Sequence, residues 1–174
     1  MKRTSAGSAL TELILEVFRL NGRLLSAGDA LTRPVHQTSA RWQVLGALDD
    51  GARTVADVGR RMGLTRQSVQ RTADLLDADG LVSYVDNPAH QRAMLAVLTP
   101  RGRATLEAIT ARQIDWVNRI TAGLGVRDLQ HALETLRQLR SALEELAVDD
   151  TRNRKRASHG LRRRAPGSTT RRGK

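Results

Sequence analysis

The segment LTRQSVQRTADLLDADGLV, residues 64–82, carries glutamine and arginine at spacings that could recognise nucleic-acid bases. If Val69 marks the buried side of a helix, a rotation of 100° per residue places four polar residues on the opposite side: Gln67, Gln70, Arg71 and Asp74. Glutamine can pair bidentately with adenine, and arginine with guanine, in the DNA major groove. Many surface helices carry the same residue types, so the segment alone leaves base recognition and plain solvent exposure both open.

The start of this predicted helix has residue types that suit phosphate contacts. Thr65, Arg66 and Ser68 lie in its first turn. Hydroxyls and backbone N–H groups without helical partners can bind an anion at such a position. We therefore expect Thr65, Arg66 and Ser68 to contact phosphate if the segment binds DNA.

Apolar periodicity predicts the helices that must position this one. The first spans about 8–31, and a second spans about 38–48. A short third helix begins after Thr54, which is a good N-cap, and Gly63 is placed as its C-terminal cap. The helix of the opening segment then stops at Gly80.

Two apolar, β-branched segments follow, at 81–86 and 93–98. The polar sequence NPAHQR between them predicts a hairpin with a tip of about six residues. Two short helices joined by MGLT and followed by a hairpin are typical of a winged helix-turn-helix. We call the hairpin with its tip the wing.

The C-terminal part predicts two long helices. Thr99 and Pro100 suit the start of a helix that runs to about Leu124. Leucines recur nearly as heptads in the last helix, from about Val126 to Ala147. With the first helix, these could form a dimerisation layer, which we favour, or pack within one chain. The predicted fold is thus mainly α, a winged helix-turn-helix with long N- and C-terminal helices for dimerisation.

These elements divide the chain into four predicted parts. They are an N-terminal dimerisation helix and link, a winged helix-turn-helix DNA-binding domain, C-terminal dimerisation helices and a basic disordered tail: residues 1–37, 38–99, 100–148 and 149–174. We call residues 38–99 the winged lobe.

The positive charge is concentrated at the C-terminus. The formal net charge is +11, and residues 151–174 hold ten Lys and Arg with no Asp or Glu. Subtracting these ten leaves +1 for residues 1–150. The tail is a non-specific electrostatic arm for phosphates or a dispensable solvated extension, and both interpretations stay open.

Composition excludes several classes of function. The chain has no cysteine, so it holds no disulfide, thiolate metal site or thiol redox switch. No apolar run reaches the roughly 18 residues of a membrane span, and charged residues interrupt the N-terminal apolar stretch. We therefore expect a cytoplasmic protein with no membrane partner, and the sequence predicts neither metal nor cofactor.

The sequence resembles the multiple antibiotic resistance regulator (MarR) family of bacterial transcription factors. The resemblance is carried by TSARWQVLGAL, TVADVGRRMGLTRQSVQRTADLLDADGLV and RAMLAVLTPRGR, and the order of elements agrees from about Leu10 to Leu146. It implies a homodimer that binds double-stranded DNA at a palindromic operator. It also implies repression, with release of DNA by a small aromatic or phenolic effector.

The resemblance assigns base reading to Gln67, Gln70 and Arg71, and a minor-groove contact to Arg92 in the wing. This chain departs from the family at one position. The family commonly has an aspartate two residues before the wing arginine, where this chain has His90. Asp86 or Asn87 is a candidate substitute, and protonation of His90 could make wing affinity pH-dependent.

The resemblance also places an effector region around the second helix and the start of the fifth. The candidate residues are His36, Arg41 and Trp42, with Arg41 available for a carboxylate and Trp42 for stacking. The alternative for Trp42, which we favour, is that it fills the core. Trp116, by the same reasoning, is assigned to the dimer core.

Two other classes of function compete with a specific regulator. An enzyme is disfavoured because the sequence lacks a phosphate loop, a nucleophile elbow and histidines at metal-ligand spacing. An architectural DNA-binding protein driven by the basic tail is the second. Salt dependence and sequence dependence of binding distinguish it from a specific regulator.

Overall fold

The computed structural model describes residues 2–90 and 92–162. The chain divides into two compact units, Met1–Arg119 and Ile120–Lys174. The helices and strands follow in chain order: α1 Ser5–Thr32, α2 Ser39–Ala47, β1 Arg53–Thr54, α3 Val55–Met62, α4 Arg66–Ala78, β2 Val82–Val85, β3 Leu95–Leu98, α5 Pro100–Ile120 and α6 Val126–Arg162. Helices dominate, with one small sheet, which confirms the predicted fold class.

Threonine caps set the start of the three central helices. The Thr38, Thr54 and Thr65 hydroxyl oxygens accept bonds from backbone N–H groups three residues on, at 3.3, 3.1 and 3.1 Å. Each such bond satisfies an N–H group that lacks a helical partner. The predicted starts of α2, α3 and α4 are therefore confirmed.

The sheet has three antiparallel strands in the order β1-β3-β2. Val82 pairs with Leu98 and Val85 with Leu95, so β2 and β3 form the predicted hairpin. The connection covers 86–94, which is longer than the predicted six-residue tip. The two-residue strand β1, which pairs with β3, was not predicted because it is too short to show alternation.

The core of the first unit lies between α2, α3, α4, the sheet and the start of α5. Its largest fully buried side chains include Leu45, Leu48, Leu76 and Ile109. Gly102 lets α5 pack against the chain before β2, because a Cβ there would lie 1.9 Å from the Leu81 carbonyl oxygen. This contact fixes the start of α5 beside the end of α4.

The two long terminal helices extend beyond their predicted bounds. Helix α1 begins at Ser5, where the Thr4 hydroxyl caps it, rather than at Ser8. In the second unit, α6 continues past the predicted end at Ala147 as far as Arg162. Neither glycine nor proline occurs between Ala147 and His159, and Asp149 pairs with Arg152 at 3.7 Å, so nothing stops the helix there.

The predicted tail and the end of α5 need correction accordingly. The segment expected to be disordered from 149 is helical to Arg162, and the part at 163–174 lies outside the described residues. Helix α5 ends at Ile120, before the predicted Leu124, and a 3₁₀ turn at Thr121–Gly123 follows. No helix among the residues described is long and apolar enough to span a bilayer.

Candidate nucleic-acid interface

A tight glycine turn sets the angle between α3 and α4. Gly63 has a φ of 65°, a left-handed conformation that glycine adopts without steric cost. The Leu64 N–H donates to the Gly59 carbonyl at 2.9 Å, and a Cβ at Gly59 would lie 2.9 Å from the Leu64 oxygen. Both glycines therefore hold the turn that presents α4.

Helix α4 buries one side and exposes the other, as predicted. Val69, Ala73 and Leu76 are buried in the core. Gln67 and Arg71 are exposed, and Gln70 is half-buried. An open hollow of about 780 Å³ runs along this side and is lined by Arg66, Gln67, Gln70, Arg71, Asp74 and Leu75. We call Gln67, Gln70 and Arg71 the reading face.

The Gln70 side chain is hydrogen-bonded to other residues of the chain, which the sequence did not indicate. Its Nε2 donates to Asp74 Oδ1 at 2.8 Å and to Tyr84 Oη at 3.0 Å. The Tyr84 hydroxyl in turn donates to the same Asp74 oxygen at 2.9 Å. Burial and the Asp74 carboxylate raise the pKa of Tyr84 to about 12. Sequence reasoning missed Tyr84 because its contact with α4 joins residues on separate elements.

The first turn of α4 retains groups that can contact phosphate. Thr65 caps the helix through its oxygen, which leaves its hydroxyl hydrogen free to donate. Arg66 and Ser68 are exposed, and Arg66 has no ion pair among those found in residues 2–90 and 92–162. The three residues predicted at this end thus lie together on one exposed turn.

The wing presents Arg92 without the expected partner. Asn87 Oδ1 accepts from the Ala89 N–H at 3.0 Å, and the Asn87 carbonyl accepts from the His90 N–H at 3.1 Å, so Asn87 shapes the loop. In the described part of the chain neither Asp86 nor Asn87 pairs with Arg92. A second hollow, of about 500 Å³, is shared by α4 and the wing, and its lining includes Arg66, Gln70, Tyr84, His90 and Arg92.

The three candidate effector residues do not converge on one site. Arg41 is only 18% exposed and bonds to the Leu75 carbonyl at 3.1 Å and to Asp79, so it ties α2 to the end of α4. Trp42 packs against the core, as favoured above. His36 adopts a left-handed conformation directly after the 3₁₀ turn Arg33–Val35 and lines a separate hollow of about 500 Å³.

That hollow lies at the predicted effector region but has a different lining. Besides His36 it is bounded by Val35, Gln37, Ala78, Asp79, Leu81, Arg101 and Thr105. Arg101 Nη1 donates to the Asp79 carbonyl at 3.0 Å. The charged groups at this hollow therefore come from the end of α4 and the start of α5, a juxtaposition that sequence spacing did not indicate.

A helix-turn-helix followed by a β-hairpin is the architecture of the winged helix class of DNA-binding proteins, and here the second helix also exposes glutamine and arginine. The comparisons with known proteins give the family. The model described as MarR family matches residues 38–93, which cover α2, α3, α4 and most of the wing. Uncharacterized protein Rv2011c of Mycobacterium tuberculosis is 39% identical over 135 residues, which cover 78% of this chain and 94% of that protein.

Solved structures show the same fold. Sco5413, a MarR family transcriptional regulator from Streptomyces coelicolor, is 27% identical with a TM-score of 0.67, covering 80% of this chain and 98% of that chain. The M. tuberculosis transcriptional regulator MOSR, solved in complex with DNA, is 23% identical with a TM-score of 0.63, covering 74% and 96%. The chain belongs to the MarR family and is a DNA-binding transcription regulator.

Proposed function

We propose that this chain is a sequence-specific repressor that binds a palindromic operator as a homodimer. The observation that carries the proposal is the exposed reading face of α4, which stands opposite a buried Val69–Ala73–Leu76 side and shares a hollow with the wing. Gln67, Gln70 and Arg71 would contact base edges, and Thr65, Arg66 and Ser68 the phosphates. Arg92 would enter the adjacent minor groove.

The homodimer is supported by unpartnered apolar surface on both long helices. Phe18 of α1 is 68% exposed, and Leu143 of α6 is 66% exposed. Large apolar side chains exposed along one helix favour an interaction site. We assign residues 1–37 and 100–148 to dimerisation, and a two-fold dimer would match an inverted repeat in DNA. The basic residues from 149 onward would add non-specific attraction to phosphates.

Release of DNA would follow binding of a small aromatic or phenolic molecule in the hollow that His36 lines. The support is its position: Asp79, at the end of α4, both lines this hollow and pairs with Arg41. A ligand that disturbed Asp79 or Arg101 would therefore disturb the anchor of the recognition helix. Arg41 and Trp42 would not contact the ligand. Arg41 would hold Asp79 in place, and Trp42 would pack against the core.

Selection of bound sequences from random double-stranded DNA tests the proposal with the full chain. We expect an inverted repeat whose half-sites lie about 10 bp apart, since that spacing brings equivalent major grooves to one side of the duplex. Binding that falls steeply with salt but enriches no sequence would instead support the architectural function. A reporter promoter that carries the selected site then distinguishes repression from activation.

A further inference from the structure

Three side chains form a closed ring of hydrogen bonds at the middle of the reading face. Gln70 and Asp74 lie one turn apart on α4, and Tyr84 reaches them from β2. The Gln70 Nε2–Asp74 Oδ1, Gln70 Nε2–Tyr84 Oη and Tyr84 Oη–Asp74 Oδ1 distances are 2.8, 3.0 and 2.9 Å. Two separate elements therefore hold the Gln70 amide in place before DNA arrives.

The chemistry of the ring fixes where each hydrogen lies. An ionised Asp74 carboxylate can only accept, so Tyr84 must donate its single hydroxyl hydrogen to it. The Tyr84 oxygen then accepts from Gln70, whose NH₂ group also donates to Asp74. The opposite amide orientation would place a carbonyl oxygen against a carboxylate, which is repulsive. The Gln70 NH₂ group is thus turned toward the ring, and its Oε1 accepts no hydrogen bond from the residues that the structure describes.

We propose that Gln70 reads DNA through its carbonyl oxygen alone, with Asp74 and Tyr84 as positioning residues. This inference rests on the proposed contact of the reading face with base edges. In the major groove, adenine and cytosine present exocyclic amino donors, whereas guanine and thymine present only acceptors. The Gln70 oxygen can therefore accept a hydrogen bond from adenine or from cytosine at one position of each half-site. Guanine and thymine offer it no donor there, so they are disfavoured. An unconstrained glutamine would pair bidentately with adenine only.

The ring resists opening when DNA binds. Rotating Gln70 to donate to a base would break its part-buried bond to the Tyr84 hydroxyl and its charge-assisted bond to Asp74, which is stronger than a bond between neutral groups. Tyr84 keeps its hydrogen at neutral pH, since the ordinary tyrosine pKa of 10.0 already lies well above it, and burial and Asp74 raise the pKa of Tyr84 further, to about 12. We therefore expect the three hydrogen bonds of the ring to remain in place in the DNA complex.

Sequence selection with full-length variants tests this inference. Tyr84→Phe removes only the hydroxyl, which frees one Gln70 hydrogen for the N7 atom of adenine. Gln70→Ala removes the carbonyl oxygen. Thr72→Val is the matched control, because it removes a hydroxyl from α4 that bonds only within the helix, to the Ser68 carbonyl at 3.0 Å. Each protein is selected against the same random duplex library.

We expect the wild-type protein to enrich adenine and cytosine at similar frequency at one position of each half-site. Gln70→Ala should lose the preference at that position only. Tyr84→Phe should favour adenine over cytosine there by about fivefold or more, the usual discrimination of a bidentate pair. Thr72→Val should behave as the wild type. If Tyr84→Phe does not fold, Asp74→Ala frees the same amide and must produce the same shift.

Three results would overturn the inference. They are an adenine-only position in the wild type, a Gln70→Ala profile equal to that of the wild type, and a Tyr84→Phe profile that stays degenerate. In each case the wild type still selects a site, so sequence-specific binding of DNA by the chain stands. A wild-type protein that enriches no sequence overturns both proposals together.

Discussion

The winged lobe and the long helices α1 and α6 expose opposite kinds of surface. Inside the lobe Leu45 and Leu76 are completely buried, and the outer side of α4 is polar. Along α1 and α6 the apolar residues themselves are exposed, as at Phe18 and Leu143. One chain thus completes the core of the lobe but leaves apolar surface uncovered on both long helices.

This difference indicates how the two regions use their free energy. Burial of apolar area contributes roughly 25 cal/mol per Å², and the lobe gains this within one chain. The exposed leucines of α1 and α6 gain this burial free energy only when they pack against a partner chain. The lobe leaves polar groups exposed that could hydrogen-bond to DNA. The predictions below test each half of this comparison.

The largest effect should follow a charge placed on the apolar side of α1. Phe18→Glu should convert a dimer into a monomer, because the phenyl ring contributes about 1.5–3 kcal/mol on burial and occurs twice in a two-fold dimer, for about 3–6 kcal/mol in all. Light scattering at micromolar concentration measures the molar mass. Since Phe18 is already exposed in one chain, the lobe itself should stay folded.

Arg23→Glu provides the control for this change. Arg23 lies on the same helix, about 140° round its axis from Phe18, on the polar side. We expect the molar mass of the Arg23→Glu variant to remain that of the wild-type dimer. A wild-type protein that is already monomeric, or equal dissociation of both variants, would contradict the assignment of α1 to dimerisation.

Adjacent leucines in α4 test the other half of the comparison. Leu76→Ala removes a completely buried side chain and should lower the free energy of unfolding by about 2–5 kcal/mol. Leu75→Ala changes a side chain that is 51% exposed and should cost much less. Denaturant unfolding of both variants measures the difference. Equal losses would mean that the lobe does not form its core within one chain.

The sequence predicted these two regions with different success. Caps at Thr38, Thr54 and Thr65 and the glycine at Gly63 act within a few residues, so the bounds of α2, α3 and α4 could be predicted closely. The end of α6 could not, because neither glycine nor proline occurs between Ala147 and His159 and the charge pattern alone suggested disorder. Local signals thus located the lobe better than the ends of the long helices.

Contacts between distant residues explain what the site prediction missed. Arg41 was assigned to a ligand, yet it bonds to Leu75 and Asp79 from another helix. Gln70 was assigned to base reading, where glutamine can pair bidentately with adenine, yet Tyr84 and Asp74 engage its amide nitrogen. Helical periodicity identifies the side on which a residue lies, but it does not show which residues of other elements meet it there.

Arg71 tests whether the polar surface of the lobe reads bases. Arg71→Ala should cost about 1–3 kcal/mol on the selected site and relax the preference at one base pair, because a bidentate pair is lost. Arg66→Ala should weaken binding nearly equally on all sequences and reduce the salt dependence by about one ion. Titrations against the selected and a scrambled duplex measure both. Equal weakening on both duplexes by Arg71→Ala would reduce its role to a phosphate contact.

The smallest effect concerns the hydrogen bonds that organise this polar surface. Tyr84 is the chain's single tyrosine, so the phenolate absorbance in an alkaline titration reports on it alone. Its folded pKa of about 12 exceeds the ordinary value of 10.0. The folded state therefore holds the proton more tightly, and the resulting stability is present below pH 10 and is lost as pH rises through about 12.

Asp74→Asn separates the causes of this shift. Burial is the larger cause and remains in the variant, whereas the hydrogen bond to the carboxylate and its charge are removed. We therefore expect the titration midpoint of Tyr84 to fall toward 10.0 without reaching it. Asp77→Asn is the control, since that carboxylate contributes only through its more distant charge, and it should move the midpoint less. An unchanged midpoint in Asp74→Asn would mean that Tyr84 and Asp74 are not bonded in solution. The ring would then be open on one side, and the Gln70 amide would be held less firmly than the structure indicates.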